Sequence, residues 1–190
     1  MATSASERKL TRADYVLLPE TVHVQNLLGG ELQMTAAPTR KHQDVLARLY
    51  EEVGLFARDR GLGRCWFSPF DVFLTDVDVV QPDLLFVAAD QLEKVTERGL
   101  EGPPTLTVEV LSASTRRQDE VEKRRLYEAT GVVEYWTIDP ELERVRVFRR
   151  PAPEAPYAPP LELAAERGER LASPLLPGLE LAVAELFRGI

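Results

Sequence analysis

The segment from residue 80 to residue 140 constrains the fold of this chain most strongly, because three short apolar runs surround one longer charged run. In chain order these are apolar residues 84–87, apolar residues 105–111, charged residues 116–130 and apolar residues 132–138. Short apolar runs bounded by turn residues are typical of buried strands, and Gly131 is a typical helix stop after the charged run. The segment therefore predicts strand, strand, helix, strand.

Two carboxylates stand where buried strands usually carry apolar side chains. Asp83 directly precedes the first apolar run, and Glu109 lies inside the second. Neighbouring strands lie about 4.8 Å apart, so pairing of these strands would bring both carboxylates within reach of one cation. Carboxylates held that close repel each other unless a cation or a proton intervenes, and their hard oxygens suit Mg²⁺ or Mn²⁺. The pair predicts a divalent metal site.

The predicted helix 116–130 carries Asp119, Lys123 and Tyr127 at a spacing of four residues, which puts them on one helix face. Leu126 falls on nearly the same face, so Lys123 points towards the core. A lysine in that position suits a phosphate-hydrolysing site, where it would position or deprotonate a water or stabilise the charged transition state. The simpler interpretation is an ion pair between Asp119 and Lys123.

The net charge of −8 argues against a protein that coats nucleic acid, but it allows a local basic patch. Arg116, Arg117 and Arg124 on the predicted helix are the candidate DNA contacts. Cys65 is the only cysteine, which excludes an intrachain disulfide and a thiolate zinc cluster. No apolar run approaches the ~20 residues of a membrane helix, and residues 1–10 lack an apolar signal core. We therefore expect a cytoplasmic protein without membrane contact.

The rest of the chain predicts a single mixed α/β domain over residues 1–190. Its other predicted parts are a flexible tail (1–9), a hairpin (22–28 and 31–34) around Gly29-Gly30, a long helix from Pro38 to Gly61, a short surface helix (90–98), a loop (99–104), a proline-rich loop (150–160) and short C-terminal strands.

These motifs, in this order, resemble the Uma family of bacterial endonucleases, which belongs to the PD-(D/E)XK nuclease superfamily. The resemblance rests on Pro82-Asp83, Glu109-Val110-Leu111-Ser112, Asp119, Lys123, Tyr127, Gly131-Val132, Glu134-Tyr135-Trp136, and more weakly on Gly30-Glu31-Leu32, His42 and Pro177-Gly178-Leu179. It implies a restriction-endonuclease-like core, a central mixed sheet flanked by helices, with an extra N-terminal hairpin and C-terminal strands.

The same resemblance implies a function and a set of site residues. It implies Mg²⁺- or Mn²⁺-dependent cleavage of DNA, with Asp83, Glu109 and the Val110 carbonyl as metal ligands. Lys123 is the catalytic lysine, and Asp119, Tyr127 and His42 are supporting residues.

Two positions depart from the family pattern. Leu111 occupies the position where the superfamily usually has its lysine, two residues after the glutamate, and Lys123 on the following helix is the candidate replacement. Asn26 stands near the hairpin where the family tends to have an acidic residue, which would weaken a second metal position.

Three functions remain open at this point. The first is a DNA endonuclease acting as a homodimer. The second is a nuclease-like fold retained as a binding or assembly module, which the acidic net charge, Leu111 and Asn26 favour. The third is a hydrolase of a different phosphate ester that uses the same metal chemistry.

Overall fold

The computed structural model describes residues 8–19, 21 and 23–190. The strands are β1 (Gln25–Leu28), β2 (Glu31–Met34), β3 (Gly63–Phe67), β4 (Val72–Phe73), β5 (Val79–Val80), β6 (Leu84–Ala88), β7 (Val95–Thr96), β8 (Gly99–Glu101), β9 (Leu106–Val110), β10 (Glu134–Asp139), β11 (Arg144–Arg149), β12 (Leu161–Ala164), β13 (Arg170–Leu171) and β14 (Leu181–Ala182). The α-helices are α1 (Arg12–Tyr15), α2 (Arg40–Leu49), α3 (Leu55–Asp59), α4 (Arg124–Thr130) and α5 (Val183–Leu186). The π-helical turns are Tyr50–Gly54, between α2 and α3, and Gln118–Lys123, before α4; the 3₁₀ helices are Ala89–Lys94 and Ala165–Arg167.

The central sheet has the strand order β12-β11-β10-β9-β6-β3. The β9–β10 pair is parallel and its other pairs are antiparallel, so the predicted mixed sheet is confirmed. Leu84 of β6 pairs with Val108 of β9. The next position along that register brings Asp83 beside Glu109, and this pairing builds the candidate site.

Helices cover both faces of the central sheet. On one face, the apolar stripe of α2 and the turn after it, Val45, Leu49 and Val53, is fully buried against the strands. Thr39 starts α2 because its side chain accepts a hydrogen bond from the His42 amide. On the other face, the buried Tyr127 of α4 packs in a second apolar cluster together with strand residues.

A second six-stranded sheet, with the order β2-β1-β5-β4-β8-β7, corrects the expectation of one central sheet. The hairpin β1–β2 is the edge of this sheet rather than an appendage. The predicted loop 99–104 contains β8, and the predicted helix 90–98 is the 3₁₀ helix Ala89–Lys94 followed by β7. β7 and β8 have two and three residues, which is too short to give a periodic pattern, and this is why the sequence did not predict them.

The ends of the chain follow the expected pattern only in part. Residues 1–7 of the predicted tail and residue 22 of the predicted hairpin lie outside the described residues, whereas the Leu10 amide donates to the Gly30 carbonyl at 2.9 Å. β12 extends the central sheet, and β13 pairs with β14 as a separate ribbon. Among the described residues, we find no helix with the length and apolarity to cross a membrane.

Candidate active site

Asp83 is held by two different elements just before β6 begins. The backbone amide of Val110 on β9 donates to Asp83 Oδ2 at 2.7 Å, and His42 Nε2 on α2 lies 3.2 Å from Asp83 Oδ1. The structure therefore brings three of the sequence-predicted site residues together: Asp83, Val110 and His42. Nothing in the sequence spacing indicated that His42 meets Asp83, because the helix and the strand are far apart in the chain.

Glu109 is bound through one of its two carboxylate oxygens. Glu109 Oε1 accepts hydrogen bonds from Lys123 Nζ at 2.9 Å and from the Tyr127 hydroxyl at 2.7 Å. In the described part of the chain, no protein group donates a hydrogen bond to Oε2. The side chain is almost fully buried, so the helix fixes its orientation and leaves the second oxygen for another partner.

Asp119 completes the group on the helix side. Its Oδ1 lies 3.3 Å from Lys123 Nζ, an ion-pair distance without hydrogen-bond alignment, so this buried oxygen has no hydrogen-bond partner among the described residues. The Tyr135 hydroxyl on β10 donates to the Asp119 backbone carbonyl at 3.0 Å. The π-helical turn Gln118–Lys123 carries Asp119 and Lys123, and both are turned inward with Tyr127.

The electrostatics of the cluster are dominated by burial. Burial, with the charges of Asp119 and Asp83, raises the pKa of Glu109 to about 8, against the opposing effect of Lys123. Burial also raises the pKa of Asp119. Burial by itself lowers the pKa of Lys123. The charges of Glu109, Asp119 and Asp83 outweigh this effect, so the pKa of the ammonium is raised. Lys123 therefore remains a protonated hydrogen-bond donor.

A cavity of about 240 Å³ opens onto these groups. Asp83, Glu109, Asp119, Lys123 and His42 all line it. The rest of its polar lining is neutral: Thr35, Thr39, Gln43, Ser68, Gln81, Ser112, Ser114 and Thr115. The cavity thus joins three carboxylates and one ammonium to a surface of hydroxyl and amide groups.

The donor set fits a hard divalent cation that keeps some of its waters. Two carboxylates, Asp83 and Glu109, face one cavity, and Glu109 Oε2 has no protein donor within the described residues. No cluster of three or more His, Cys, Asp or Glu side chains in that part of the chain is arranged to hold a metal ion. Mg²⁺ is usually held by one or two carboxylates with waters and phosphate completing its octahedron, so the smaller set suits Mg²⁺ rather than a fully protein-bound metal.

The three candidate DNA-contacting arginines are in different situations. Arg116 Nη1 donates to Asp139 Oδ2 at 2.6 Å and lies 3.6 Å from Glu120 Oε1. Arg124 donates to the Glu120 carbonyl and lies over the ring of Phe148. Arg117 lines a groove beside the cavity, between the hairpin and the start of the helix. Of the three, Arg116 and Arg124 are therefore engaged within the protein.

Comparison with known proteins identifies the family of this chain. A family model described as "Putative restriction endonuclease", Uma2, matches residues 12–184. The chain belongs to the Uma2 family. A solved structure described as "a putative nuclease belonging to DUF820 from Anabaena variabilis ATCC 29413" is similar with a TM-score of 0.79, 18% identity, and coverage of 94% of this chain and 97% of that chain. At this identity the similarity shows the nuclease-like fold. No curated protein matches the chain.

Asn26 and Gln81 were not assigned to the Uma2 site from the sequence. Both stabilise the segment that directly precedes Asp83. The Gln81 amide donates to Asn26 Oδ1 at 2.9 Å, and Gln81 Nε2 donates to Asp71 Oδ1 at 2.7 Å. Asn26 is fully buried, and its Nδ2 has no hydrogen-bond partner among the described residues. The signal was present in part, because Asn26 departs from the Uma2 pattern and Gln81 immediately precedes Pro82-Asp83.

The Glu134-Tyr135-Trp136 motif of the Uma2 resemblance begins β10, and its side chains serve both faces of the sheet. Tyr135 reaches Asp119, as described above, whereas the fully buried Glu134 accepts from Arg149 Nε at 2.8 Å and from Trp136 Nε1 at 2.6 Å. Glu134 pairs with Leu106 at the start of the parallel strand β9, and Glu109 lies near the end of β9. Glu134 is therefore a structural carboxylate away from the cavity.

Proposed function

We propose that this Uma2 family protein is a Mg²⁺- or Mn²⁺-dependent endonuclease that hydrolyses phosphodiester bonds in DNA, acting as a cytoplasmic homodimer. The observation that carries the proposal is that Asp83 and Glu109, from adjacent strands, line one cavity together with the buried Lys123. Membership of a family described as "Putative restriction endonuclease" and the fold shared with a protein described as "a putative nuclease" support the same class of reaction.

In this proposal Asp83 and Glu109 hold the metal, and the Val110 carbonyl is the third ligand. The Val110 amide already binds Asp83 Oδ2 at 2.7 Å, so the backbone of β9 and the aspartate are fixed relative to each other. A divalent ion held by these residues would supply an acidified water, a fixed phosphate orientation and compensation of the charge that develops during hydrolysis. Glu109 supplies Oε2, because Oε1 is occupied by Lys123 and Tyr127.

Lys123 acts through its positive charge. Its pKa is raised, because the charges of Glu109, Asp119 and Asp83 outweigh the effect of burial. An ammonium that stays protonated is a poor general base, so of the roles considered for this lysine we assign stabilisation of the pentacoordinate phosphorus transition state and positioning of water. Asp119 at 3.3 Å keeps the ammonium in place.

Tyr127 and His42 are positioning residues. The Tyr127 hydroxyl, fully buried, holds Glu109 in a single orientation, while His42 contacts Asp83 from the opposite face of the sheet. Catalysis of phosphoryl transfer depends mainly on positioning and electrostatics. The role of these two side chains is therefore to keep the two carboxylates aimed at the cavity.

The test combines metal binding with cleavage. Mn²⁺ and Mg²⁺ are titrated calorimetrically into the wild type, Asp83→Ala, Glu109→Ala and the control Asp90→Ala, an exposed carboxylate outside the cavity. The same proteins are assayed for plasmid nicking at low salt and for hydrolysis of bis(p-nitrophenyl) phosphate and nucleotides. We expect both site variants to lose metal binding and cleavage and the control to retain them. Undiminished cleavage by a folded Glu109→Ala protein would refute the proposal.

A second candidate function is a nuclease-like binding or assembly module without catalytic activity. The observation that favours it is the 2.9 Å ion pair in which Lys123 already neutralises Glu109. This candidate predicts that wild-type protein binds neither Mn²⁺ nor Mg²⁺ in the titration and cleaves none of the substrates. Cleavage of nucleotides without cleavage of DNA would instead indicate a hydrolase of a smaller phosphate ester.

A further inference from the structure

A groove runs along β3, which is the edge strand of the central sheet. It lies on the side of β3 that faces away from the neighbouring strand β6. Its volume is about 490 Å³. Four aromatic residues and two arginines line most of it: Tyr50, Trp66, Phe67, Phe70, Arg58 and Arg64. We call this the β3 groove.

The aromatic rings of the β3 groove are arranged in two pairs. Tyr50 and Phe67 meet edge to face with ring centroids 5.4 Å apart, and Trp66 and Phe70 are stacked at 5.4 Å. Phe67 is 51% exposed, which is unusual for so large an apolar side chain. The strand thus holds flat apolar surfaces at the solvent boundary, where an unpaired nucleobase has a π-face to stack on.

The arginines of the β3 groove are available to an outside partner. In the described part of the chain, Arg64 is exposed and has no ion-pair partner. Arg58 pairs only with its neighbour Asp59, and both side chains are about 60% exposed. The described residues lining the groove include no carboxylate, although the whole chain has a net charge of −8. The lining of the groove therefore carries two arginines and no carboxylate, and Arg64 is the one of the two without an ion-pair partner among the described residues.

The β3 groove and the candidate active site are lined by neighbouring residues of one segment. Phe67 and Pro69 line the groove, and Ser68 between them lines the cavity of Asp83 and Glu109. The Ser68 amide donates to the Asp83 backbone carbonyl at 3.2 Å. The groove and the cavity are therefore adjacent at residues 67–69, on the side of the cavity where Asp83 lies.

We propose that the β3 groove binds single-stranded nucleic acid, with bases stacked on Phe67 and its aromatic neighbours and phosphates on Arg58 and Arg64, and leads the strand into the cavity. This inference extends the proposed nuclease function, and it rests on that function for the cleavage of the bound nucleic acid. Bases in a duplex are already stacked inside the helix, whereas a single strand offers its bases to aromatic side chains.

A second copy of this chain fits the groove less well. A two-fold interface uses the same surface on both partners, so pairing through β3 would bring Arg58 and Arg64 of one protomer towards the same residues of the other. Like charges brought together across an interface are unfavourable. Charge complementarity therefore favours a polyanion as the occupant.

The test uses the intrinsic fluorescence of the intact protein. The chain has two tryptophans, and Trp136 is fully buried with its indole N–H bound to Glu134. Quenching by an added oligothymidylate or oligouridylate therefore reports on Trp66 in the groove. All titrations contain EDTA, so metal-dependent cleavage does not contribute.

The matched variants lie on opposite edges of one sheet. Phe67→Ala removes the exposed ring on β3, Arg64→Ala removes a phosphate contact, and Leu161→Ala removes an equally exposed apolar side chain (52%) on β12. Loss of one stacked base contact weakens binding about tenfold. We expect such a weakening for Phe67→Ala, a steeper loss with added salt for wild type than for Arg64→Ala, and no change for Leu161→Ala.

Three outcomes would overturn the inference. Equal affinity for a duplex of the same length would exclude a single-strand site, and equal effects of Phe67→Ala and Leu161→Ala would exclude a specific stacking surface. A protein that sediments as a dimer, becomes monomeric in Phe67→Ala and shows no quenching would indicate a second copy as the occupant. Hydrolysis of bis(p-nitrophenyl) phosphate by wild type with Mn²⁺, measured separately, tests the catalytic proposal, so oligonucleotide binding without hydrolysis would support the groove and refute only the nuclease.

Discussion

Lys123 donates a 2.9 Å hydrogen bond to Glu109 although the two side chains are only 6% and 3% exposed. Burying an ammonium and a carboxyl group away from water is costly, and the pair is tolerated because each partner has a second contact. Glu109 also accepts from Tyr127, and Lys123 also lies beside Asp119. The stability of the central helix–sheet contact therefore depends on the same groups that form the candidate active site.

Replacing Lys123 with methionine should destabilise the protein strongly, because it leaves Glu109 and Asp119 buried without their cation. We expect a loss of about 3 kcal/mol in the free energy of unfolding, measured by urea denaturation. Lys41→Met is the control, since Lys41 forms an exposed pair with Glu141 and should change stability by less than about 1 kcal/mol. Adding Glu109→Gln to Lys123→Met should restore part of the loss, and a double variant less stable than Lys123→Met would contradict this account.

Replacing Tyr127 with phenylalanine should cost about 2 kcal/mol, because it removes a hydrogen bond to a carboxylate without opening a cavity. Tyr157→Phe is the matched control, since the Tyr157 hydroxyl donates to a neutral acceptor, the Val132 carbonyl, at 3.0 Å. We expect the control to lose about 1 kcal/mol and to keep cleavage activity, whereas Tyr127→Phe should lose activity as well. Identical urea midpoints for the two variants would argue against a special role for the contact with Glu109.

The raised pKa of Glu109 predicts a pH dependence of stability in the absence of metal. Its pKa rises from the ordinary 4.5 to about 8, mainly through burial. Between these values the folded state holds a proton that the unfolded chain has lost, so the free energy of unfolding should fall as pH rises through this window. Asp119, whose pKa is also raised by burial, acts in the same direction. Urea midpoints at pH 5, 6.5 and 8 in EDTA measure the slope.

The control for this slope is Glu109→Gln, which has no proton to lose and should show a flatter profile. Carboxyls whose pKa is lowered, such as Asp139 and Glu162, lose their stabilising effect only below their ordinary pKa, so they do not contribute between pH 5 and 8. An unchanged slope in Glu109→Gln would show that other groups control the effect.

Asp139 should stabilise the turn between β10 and β11. Its Oδ1 accepts from the amides of Glu141 and Leu142 at 3.0 and 3.1 Å, and its Oδ2 accepts from Arg116 at 2.6 Å. We expect Asp139→Ala to cost about 2 kcal/mol near pH 7, and the exposed Asp90→Ala to cost much less. Thermal unfolding of both variants provides the measurement.

The contribution of Asp139 to the free energy of unfolding should decrease as pH falls. Burial works to raise its pKa, but the hydrogen bonds from Arg116, Leu142 and Glu141 outweigh it and lower the pKa below the ordinary 3.8. Its stabilising contribution is therefore complete above pH 3.8 and is lost as pH falls through the lowered value. The difference between wild type and Asp139→Ala should shrink on acidification, and a difference that grows instead would contradict the assignment.

Local pattern was enough to predict the elements that carry the candidate site. The buried run of β6, the single charge inside β9 and the four-residue spacing of Asp119, Lys123 and Tyr127 are features of short segments, and the structure turns all three helix residues inward. Gly131, in a left-handed conformation with φ 102°, ends α4 as its position in the sequence predicted.

Contacts between distant segments were not predictable from those patterns. The second sheet is built from strands of two to four residues, and its order β2-β1-β5-β4-β8-β7 follows from pairing across the chain rather than from periodicity. The same holds for His42 beside Asp83 and for Asp139 beside Arg116. Each of these contacts depends on packing of elements that are separated by many residues.

The sequence by itself determined which residue types are available: carboxylates next to buried strands, one inward lysine, and arginines on the helix that carries it. Only the tertiary structure decided which of them share a surface. Strand register brought Asp83 beside Glu109, and helix packing placed Arg116 against Asp139 and Arg124 over the ring of Phe148. The edge position of β3 left Phe67 and Arg64 exposed. The physical reason is that periodicity fixes the direction of a side chain within its own element, whereas its neighbours are fixed by the burial and hydrogen bonding of the whole domain.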